Sequence, residues 1–473
     1  MAETFPAADD DASETALRKE AEGLLRTALA LVPPTPAVVN MLATAAMEAS
    51  LPEFAEEIVR EVLRASPGES ASHHLLGCAL RDQGRFEEAA ATLLQAIARD
   101  GNVAAFHLSL ADTLRRQGEL ERSFSHCRRA LELEPENAHG HFTLGNTLYQ
   151  IGQFDAALGA YRRALLIDPS HAGAHRNVGV SLFLRGEFAE AYEEYEWRWK
   201  LKGFRGSLER LRRPMWNGEP LAGRTLLIHA EQGLGDTVQF VRYLPQIAKD
   251  GGRILLQVQR PLARLLERIS GVDAVVARGE PLPGFDVHCP LMSLPRVFAT
   301  EMETIPKGVP YLDIAPAMQS DRTAPLRVGV AWAGNPRHTE DRLRSIPFRG
   351  FATLFNVPNV QFYRLHTRGP AEEPCVHPHL VDPTEGFTDL AETAAFMQTL
   401  DLVISVDTVI AHLGGALGKP TWTLLPFAPD WRWMLDRTDS PWYPTMRLFR
   451  QTAPGQWPAL MDQINSQLKS HRR

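Results

Sequence analysis

Helix-breaking residues recur at one interval through the early part of the chain: Pro33, Pro67, Gly101, Pro135 and Pro169, each 34 residues after the last. A period of this length constrains the fold strongly, because a two-helix unit cannot bury its apolar face alone and must stack on its neighbours. Three further series keep the same step. Leu76-Gly77, Leu110-Ala111, Leu144-Gly145 and Val178-Gly179 form one, and Ala55, Ala89, Ser123, Ala157 and Ala191 another. Gly84, Gly118, Gly152 and Gly186 form the third, at the expected turn between two helices. Small residues suit the points where paired helices cross closely, and proline ends the second helix because it cannot donate to the preceding turn. The pattern predicts stacked helix–turn–helix units.

This 34-residue signature resembles the tetratricopeptide repeat. Four repeats run from about 36 to 169, behind a leading helix over 14–35 and ahead of a diverged final unit over 170–199. Residues 14–200 are therefore expected to form an α-solenoid, preceded by a disordered N-terminus over 1–13. Such arrays present a concave surface, which suits a protein or peptide partner; a spacer or a dimerisation arm fits the same pattern. In repeat-bearing O-linked N-acetylglucosamine transferases an asparagine recurs at one helix position and holds the acceptor backbone. The matching residues here are Leu75, Ser109, Thr143 and Asn177, so only the last conforms. His73, His107, His141 and His175 also recur at 34. Packed helices lie roughly 8–10 Å apart, too far for these imidazoles to share an ion needing bonds of about 2 Å. They are expected to fill a packing position.

Composition narrows the function classes. A length of 473 residues allows roughly three domains. A net charge of −7 argues against nucleic acid or an anionic membrane as the main partner. Cys78, Cys127, Cys289 and Cys375 are widely separated with no CxxC pair, which leaves no recognisable zinc site and suggests reduced thiols in a cytoplasmic setting. The opening MAETFPAADDDASE lacks the apolar core of a signal peptide, and no apolar run approaches the ~20 residues that span a bilayer.

Past the repeats, YEEYEWRW at 192–199 and Trp216 make an aromatic stretch that could hold a sugar or seal the end of a solenoid. Residues 201–222 read as a linker. Short apolar runs then alternate with helical segments. In the first half these are Thr225–His229, Arg253–Val258, Asp273–Val276 and Phe285–His288; in the second, Leu326–Trp332, Phe362–His366, Leu402–Val406 and Thr421–Leu425. The helical stretches are 261–269, 348–356, 387–399 and 408–417. The alternation predicts two parallel sheets covered by helices, with ligands at the carboxyl ends of the strands. The lobes are bounded at 223–318 and 326–473.

Two groups of residues carry candidate chemistry. The first lies in TLLIHAEQGLGDTVQFVRYLP (Thr225–Pro245), where a strand passes through Gly233 and Gly235 into a periodic segment. A dinucleotide fingerprint needs a third glycine where Val238 stands, and a P-loop needs Gly-Lys-Ser/Thr. The loop offers Asp236 instead, either as a base for a hydroxyl proton or as a helix cap. The second group is in the other half. Asn335 in GNP is followed by Arg337, Arg342 and Arg344, whose forks suit a pyrophosphate, though such a run can also be a solvated face. In SVDTVIAHLGGALGKP, Asp407 and Thr408 open a helix and His412 lies one turn on. That arrangement fits phosphate and sugar hydroxyls, or a plain N-cap with a satisfied histidine.

GLGD with the following Leu-Pro, together with DTVIAHLGGALGKP, resembles the ADP-heptose:lipopolysaccharide heptosyltransferases of glycosyltransferase family nine. The repeats joined to YEWRW, GNPRHTEDRLRS and PFAPDWRWMLDRTDSPWYP resemble a bacterial group of tetratricopeptide proteins carrying such a domain. The resemblance implies an α plus α/β chain: the α-solenoid followed by a two-lobed GT-B (double Rossmann-like) domain, with acceptor on the 223–318 side and nucleotide sugar on the 326–473 side. It implies an inverting, metal-independent hexosyl- or heptosyltransferase with no cofactor beyond its nucleotide-diphosphate sugar co-substrate. Asp236 matches the base, while Asp407, Thr408 and His412 match the donor motif. Asn335 and Arg342 or Arg344 stand where diphosphate contacts are placed, with arginine where lysine is usual. The repeats, which lipopolysaccharide enzymes lack, point to a protein or glycan acceptor. A repeat scaffold that binds nucleotide sugar without turnover, and an unrelated epimerase or oxidoreductase, are the alternatives.

Overall fold

The 34-residue period folds into paired helices in a computed structural model that describes residues 8–201, 204, 208, 211–247, 251–314, 325–336, 341–366 and 377–471. Arg337 and Cys375, singled out in the sequence, lie outside the described residues. The helices are α1 (Ala8–Leu31), α2 (Pro36–Glu48), α3 (Pro52–Ala65), α4 (Ser70–Asp82), α5 (Phe86–Arg99), α6 (Ala104–Gln117), α7 (Leu120–Leu133), α8 (Ala138–Ile151), α9 (Phe154–Ile167), α10 (Ala172–Arg185) and α11 (Phe188–Tyr195). Each of α4, α6 and α8 packs on the helix that follows it. The turn glycines Gly84, Gly118, Gly152 and Gly186 all take positive φ, between 79° and 88°. That conformation is open to glycine at little cost and ends the first helix of each pair. The chain runs helical from Ala8, where its polar composition suggests disorder over 1–13. No proline or glycine stands between Ala7 and Glu22 to interrupt it. Two compact units divide the chain, 8–178 and 179–473, so α10 runs across the division.

The recurring histidines do more than fill space. Nε2 of His73, His107, His141 and His175 lies 2.9–3.1 Å from the carbonyl oxygens of Pro67, Gly101, Pro135 and Pro169 respectively. A carbonyl only accepts, so Nε2 carries the proton in each case. Each ring thereby ties a helix to the residue that breaks the preceding one. In the first unit the hydrophobic core over α2 to α5 is built from Val39, Leu42, Phe54, Ile58, Leu76 and Leu80 among others.

The second unit contains two all-parallel sheets. The first has the order β3-β2-β1-β4, with β1 (Thr225–His229), β2 (Arg253–Val258), β3 (Ala274–Ala277) and β4 (Val287–Pro290). The second has the order β10-β9-β8-β5-β6-β7, with β5 (Leu326–Ala331), β6 (Val360–Arg364), β7 (Leu380–Val381), β8 (Leu402–Val406), β9 (Thr421–Leu425) and β10 (Met446–Arg450). Helices α12 (Leu234–Phe240), α13 (Ala263–Leu266) and α14 (Leu294–Val297) accompany the first sheet. With the second go α15 (Asp341–Arg344), α16 (Phe348–Phe351), α17 (Leu390–Gln398), α18 (Val409–Ala416) and α19 (Trp457–Ser470).

Most strands fall within two residues of their sequence expectation. β7 and β10 have no counterpart in it. β7 is two residues long, and β10 sits at the sheet edge with Arg447 exposed between buried Met446 and Leu448, so neither reads as an apolar run. Burial in the second sheet is complete on both faces of β8 and β9, as helix-covered parallel strands require. Helix α19 closes this core with Trp457, Leu460, Met461, Ile464 and Leu468 at helical spacing.

Strand order reverses at β1/β4 in the first sheet and at β5/β8 in the second. Loops leaving the carboxyl ends at such points splay apart and open a crevice. The turn after β1 ends on Gly233, and Gly235 and Asp236 follow in the first turn of α12; the loop after β5 carries Asn335; that after β8 carries Asp407 and Thr408. Topology alone therefore gathers the candidate residues at the ligand-binding edges of their sheets.

Replacing His141 by phenylalanine keeps a ring at the inter-repeat turn but removes its donor to the Pro135 carbonyl. The expected cost is about 1 kcal/mol, read as a roughly fivefold loss of hydrogen-exchange protection in α8 amides. Unchanged protection would reduce the histidine series to packing.

Candidate functional site

Asp236 sits in the first turn of α12. Its Oδ2 accepts the backbone N–H of Gly233 at 2.8 Å, so the cap expected of an acid at this position is present. Its Oδ1 accepts from Nη2 of Arg432 in the facing lobe. Gly235 is required by closeness: a Cβ there would lie 2.7 Å from Cδ2 of His412. The glycines of this loop let α12 and α18 touch.

On the other side, Thr408 caps α18 by accepting the Ile410 N–H at 3.3 Å, and its hydroxyl meets Ser405 Oγ at 3.1 Å. Asp407, one residue earlier, is half-buried. Burial, with the Asp430 carboxylate next in weight, pushes its carboxyl up to about 6. His412 is buried, with Nδ1 2.9 Å from the Tyr443 hydroxyl and its ring 5.3 Å from that of Trp433. Burial, then nearby Arg432, lowers its imidazole to about 3, so it is neutral. The expected donor-side histidine thus packs between the two lobes.

Asn335 is half-buried beyond the end of β5, and its loop folds back through Ser345, whose hydroxyl accepts from Gly334 N–H and donates to Asp341, both at 2.9 Å. Arg342 is exposed on α15. Arg344 turns inward onto Asp341 at 3.1 Å, and its charge acts on both Asp407 and His412. The structure therefore groups Gly233, Gly235, Asp236, Arg344, Asp407, Thr408 and His412 around one junction.

Two charged groups had no assigned role in the sequence. Arg432 is 6% exposed. It donates Nε to Gln239 at 2.7 Å, Nη1 to Asp430 at 2.9 Å, and Nη2 to Asp236. Its guanidinium also lies 4.3 Å from the Trp431 ring centre. Asp430, flanked by Arg432, is held far below the usual carboxylate range. PFAPDWRW carried these residues as part of a motif, but nothing local shows that its arginine reaches an acid nearly two hundred positions earlier.

The second group follows from YEWRW. Arg198 is fully buried and donates to Glu196 at 2.6 Å, Glu231 at 3.0 Å and Ser293 at 2.8 Å. Glu231 also accepts the Met292 N–H at 3.2 Å, and burial raises its carboxyl to about 7. This stretch thus braces the loops after β1 and β4 from behind, and Trp216 is buried with its indole N–H on the Glu219 carbonyl at 2.6 Å. Trp216 is thus taken up in packing, while Trp197 and Trp199 are half-buried.

In the repeat unit, Asn177 donates to Asn146 Oδ1 at 2.7 Å while its own oxygen accepts from Arg176 at 2.8 Å. The one asparagine that fits the peptide-holding series is committed to side-chain partners. Among the described residues no group of three histidine, cysteine, aspartate or glutamate side chains could hold a metal ion, and no helix is long and apolar enough to cross a membrane. Cys78, Cys127 and Cys289 are free thiols.

Comparison with known proteins identifies tetratricopeptide repeats over residues 74–138 and 142–197, an architecture of protein-interaction scaffolds. The chain is 28% identical over 290 residues to protein FlbA of Caulobacter vibrioides, a match taking in 54% of this chain and 48% of that protein. It thus spans about half the length of this curated relative. Among solved structures it is similar to MamA (19% identity, 36% of this chain, 96% of that one, TM-score 0.29) and to a thermophilic tetratricopeptide protein of Thermus thermophilus (17%, 38%, 96%, TM-score 0.34).

The packing of this junction is open to test at two positions. Gly235→Ala drives a methyl into His412 and is expected to cost about 1–3 kcal/mol, visible as a lower Tm. Adding His412→Ala should relieve part of that loss, so that the double variant falls short of the summed single effects. Asp407, whose folded-state value is raised, holds its proton in the native state where the unfolded chain has lost it. Stability contributed this way is present below pH 3.8 and lost as pH rises to about 6. Asp407→Asn should flatten the fall in stability over that window in urea titrations; an unchanged slope would refute it.

Proposed function

We propose that the α/β unit is a GT-B glycosyltransferase domain that moves a sugar from a nucleotide-diphosphate donor to a protein or glycan acceptor, with inversion. The observation that carries this reading is the position of Asp236 in the first turn of α12, just beyond β1 and directly facing the Asp430–Arg432 segment of the other lobe. A carboxylate beyond one strand-order reversal and charged loops beyond β8 and β9 of the other sheet are what a two-substrate displacement needs.

In the proposed reaction Asp236 takes the proton of the acceptor hydroxyl. That oxygen forms a bond to the anomeric carbon, the bond to the diphosphate oxygen breaks, and the nucleoside diphosphate leaves with the electron pair. Arg344, Asn335 and the N-terminus of α18 would receive the diphosphate, with Arg342 of α15 as a further contact. Asp407 is suited to a sugar hydroxyl. Positive side chains and the helix dipole offset the leaving charge, so the scheme calls for no metal ion. The repeats would bring a protein acceptor or partner.

One observation favours a second reading, a repeat scaffold that binds nucleotide sugar without turnover: both Asp236 oxygens already carry a donor. The two are separated by experiment. A panel of nucleotide sugars is expected to raise Tm in one case at least, the gain following RT ln(1 + [L]/Kd), roughly 2.7 kcal/mol at a hundredfold excess. Asp236→Asn should keep that shift and lose turnover by a factor of about 100 or more. Equal turnover in wild type and variant would favour the scaffold, and no shift with any nucleotide sugar would remove both readings.

A further inference from the structure

Asp236 is a helix cap, and it is also the proposed base. These roles make different demands: a cap needs one oxygen on a backbone N–H, whereas a base needs a fixed orientation and a charge at working pH. Gly233 N–H on Oδ2 satisfies the first. The second is supplied from outside the loop. Arg432 donates to Oδ1, and its guanidinium is itself held on three further sides, by Gln239 at 2.7 Å, Asp430 at 2.9 Å and the face of Trp431 at 4.3 Å. Asp236 and Gln239 stand three residues apart on α12, so they share a helix face, while Asp430 and Trp431 belong to the donor lobe.

A carboxylate oxygen has two lone pairs. Donors on both oxygens of Asp236 therefore fix rotation of the group. A guanidinium whose fork is anchored by Asp430 cannot follow Asp236 if that side chain turns. It also favours the ionised form, which is the only form that can act as a base.

We propose that Arg432 is a positioning residue for Asp236: it locks the carboxylate's orientation, keeps it ionised, and makes both depend on closure of the donor lobe through Asp430. The proposal rests on the transferase reading. When Asp236 takes the acceptor proton it becomes neutral, its pairing with Arg432 weakens, and Arg432 keeps its bond to Asp430. Loss of that proton to water restores the pair. Among the described residues, the charged or titratable groups beside Asp236 include Arg432 with Asp430 behind it, neutral His412 against Gly235, and Glu231 in its own loop.

The test measures nucleoside diphosphate release by the full chain from UDP-glucose, UDP-N-acetylglucosamine, GDP-mannose and an ADP-linked sugar, across pH 4–9. Wild type, Asp236→Asn, Arg432→Gln and Arg432→Lys are compared. Arg432→Gln should lower kcat about tenfold or more with donor KM changed by less than about threefold, and should move the acid limb of kcat upward by about one pH unit. Arg432→Lys should return the limb toward wild type, because it restores charge without the fork. If Arg432→Gln does not fold, Asp430→Asn, which takes one anchor from the guanidinium and keeps its charge, should lower kcat several-fold with donor KM little changed and the acid limb not raised; unchanged kcat in that variant overturns the positioning role. An acid limb that stays in place in a folded Arg432→Gln, while Asp236→Asn is inactive, overturns the positioning role and leaves the transferase reading standing. Release that persists in Asp236→Asn removes the base and the positioning role with it. No release by wild type from any of these donors overturns the transferase reading and this inference together.

Discussion

A guanidinium withdrawn from water must find carboxylates and carbonyls for nearly all its donors, or the fold loses several kcal/mol. Among the described residues four arginines of the α/β unit are in that position, Arg364 with them, and the other three join segments far apart in sequence. Arg198 ties the end of the helical lead-in to Glu231 and Ser293 behind β1 and β4. Arg242, 4% exposed, donates to the carbonyls of Gln239 and Trp442 and to the Tyr311 hydroxyl. Arg432 joins Asp236 and Gln239 to Asp430. With five donors in a rigid fork, arginine can satisfy several acceptors at set angles, which a lysine cannot. The arrangement of the two lobes is thus specified by buried polar geometry in addition to apolar area. Aromatic faces complete it: Phe183 stacks on Trp431 at 4.2 Å, and Arg242 lies 4.6 Å from the centre of the Tyr443 ring.

Parallel sheets set where chemistry can go. Their strands are buried on both faces, so side chains within them are used up in packing, as the uniformly buried β8 shows. Only the loops at the carboxyl ends are free to vary, and the reversal of strand order keeps two of them apart. In each sheet the candidate residues lie one to seven positions beyond such a strand end, save Arg342 and Arg344, which follow the end of β5 by 11 and 13. The close approach of α12 to α18, permitted by Gly235, then brings the two sets within reach.

What the sequence makes legible follows from range. The repeats are readable because every constraint in them is local and recurs: the positive-φ glycines and the helix-ending prolines each act within one turn. The strands of both sheets are readable wherever they form apolar runs, and β10 escapes because Arg447 and Arg450 interrupt it. Asp236, Asp407 and Thr408 stand out because strand, loop and helix follow one another directly. Arg432 and Arg198 do not stand out. Their partners are set by tertiary structure alone, and an arginine beside tryptophans reads equally well as surface. The histidine series shows an intermediate case. Its period announces a structural role, yet the bond to the carbonyl six residues back depends on the bend of the inter-repeat turn.

Asp407 and Asp430 illustrate how one junction can give two like side chains different work. Both are carboxylates at the start of a short helix, and each raises the cost of charging the other. Arg432 resolves the competition, because it pairs with Asp430 through both its backbone and its fork. Asp430, its carboxyl held far below the usual range, anchors the guanidinium, and Asp407, beside it and partly desolvated, keeps its proton to about pH 6. Environments that separate two neighbouring acids in this way divide their labour. A carboxylate held ionised is fit to hold a cation in place. A carboxyl that titrates near neutrality can donate a hydrogen bond in one state and accept one in the other. Arg432, which pairs with Asp236 of one lobe, also fixes Asp430 of the other, and burial together with Asp430 raises the Asp407 carboxyl.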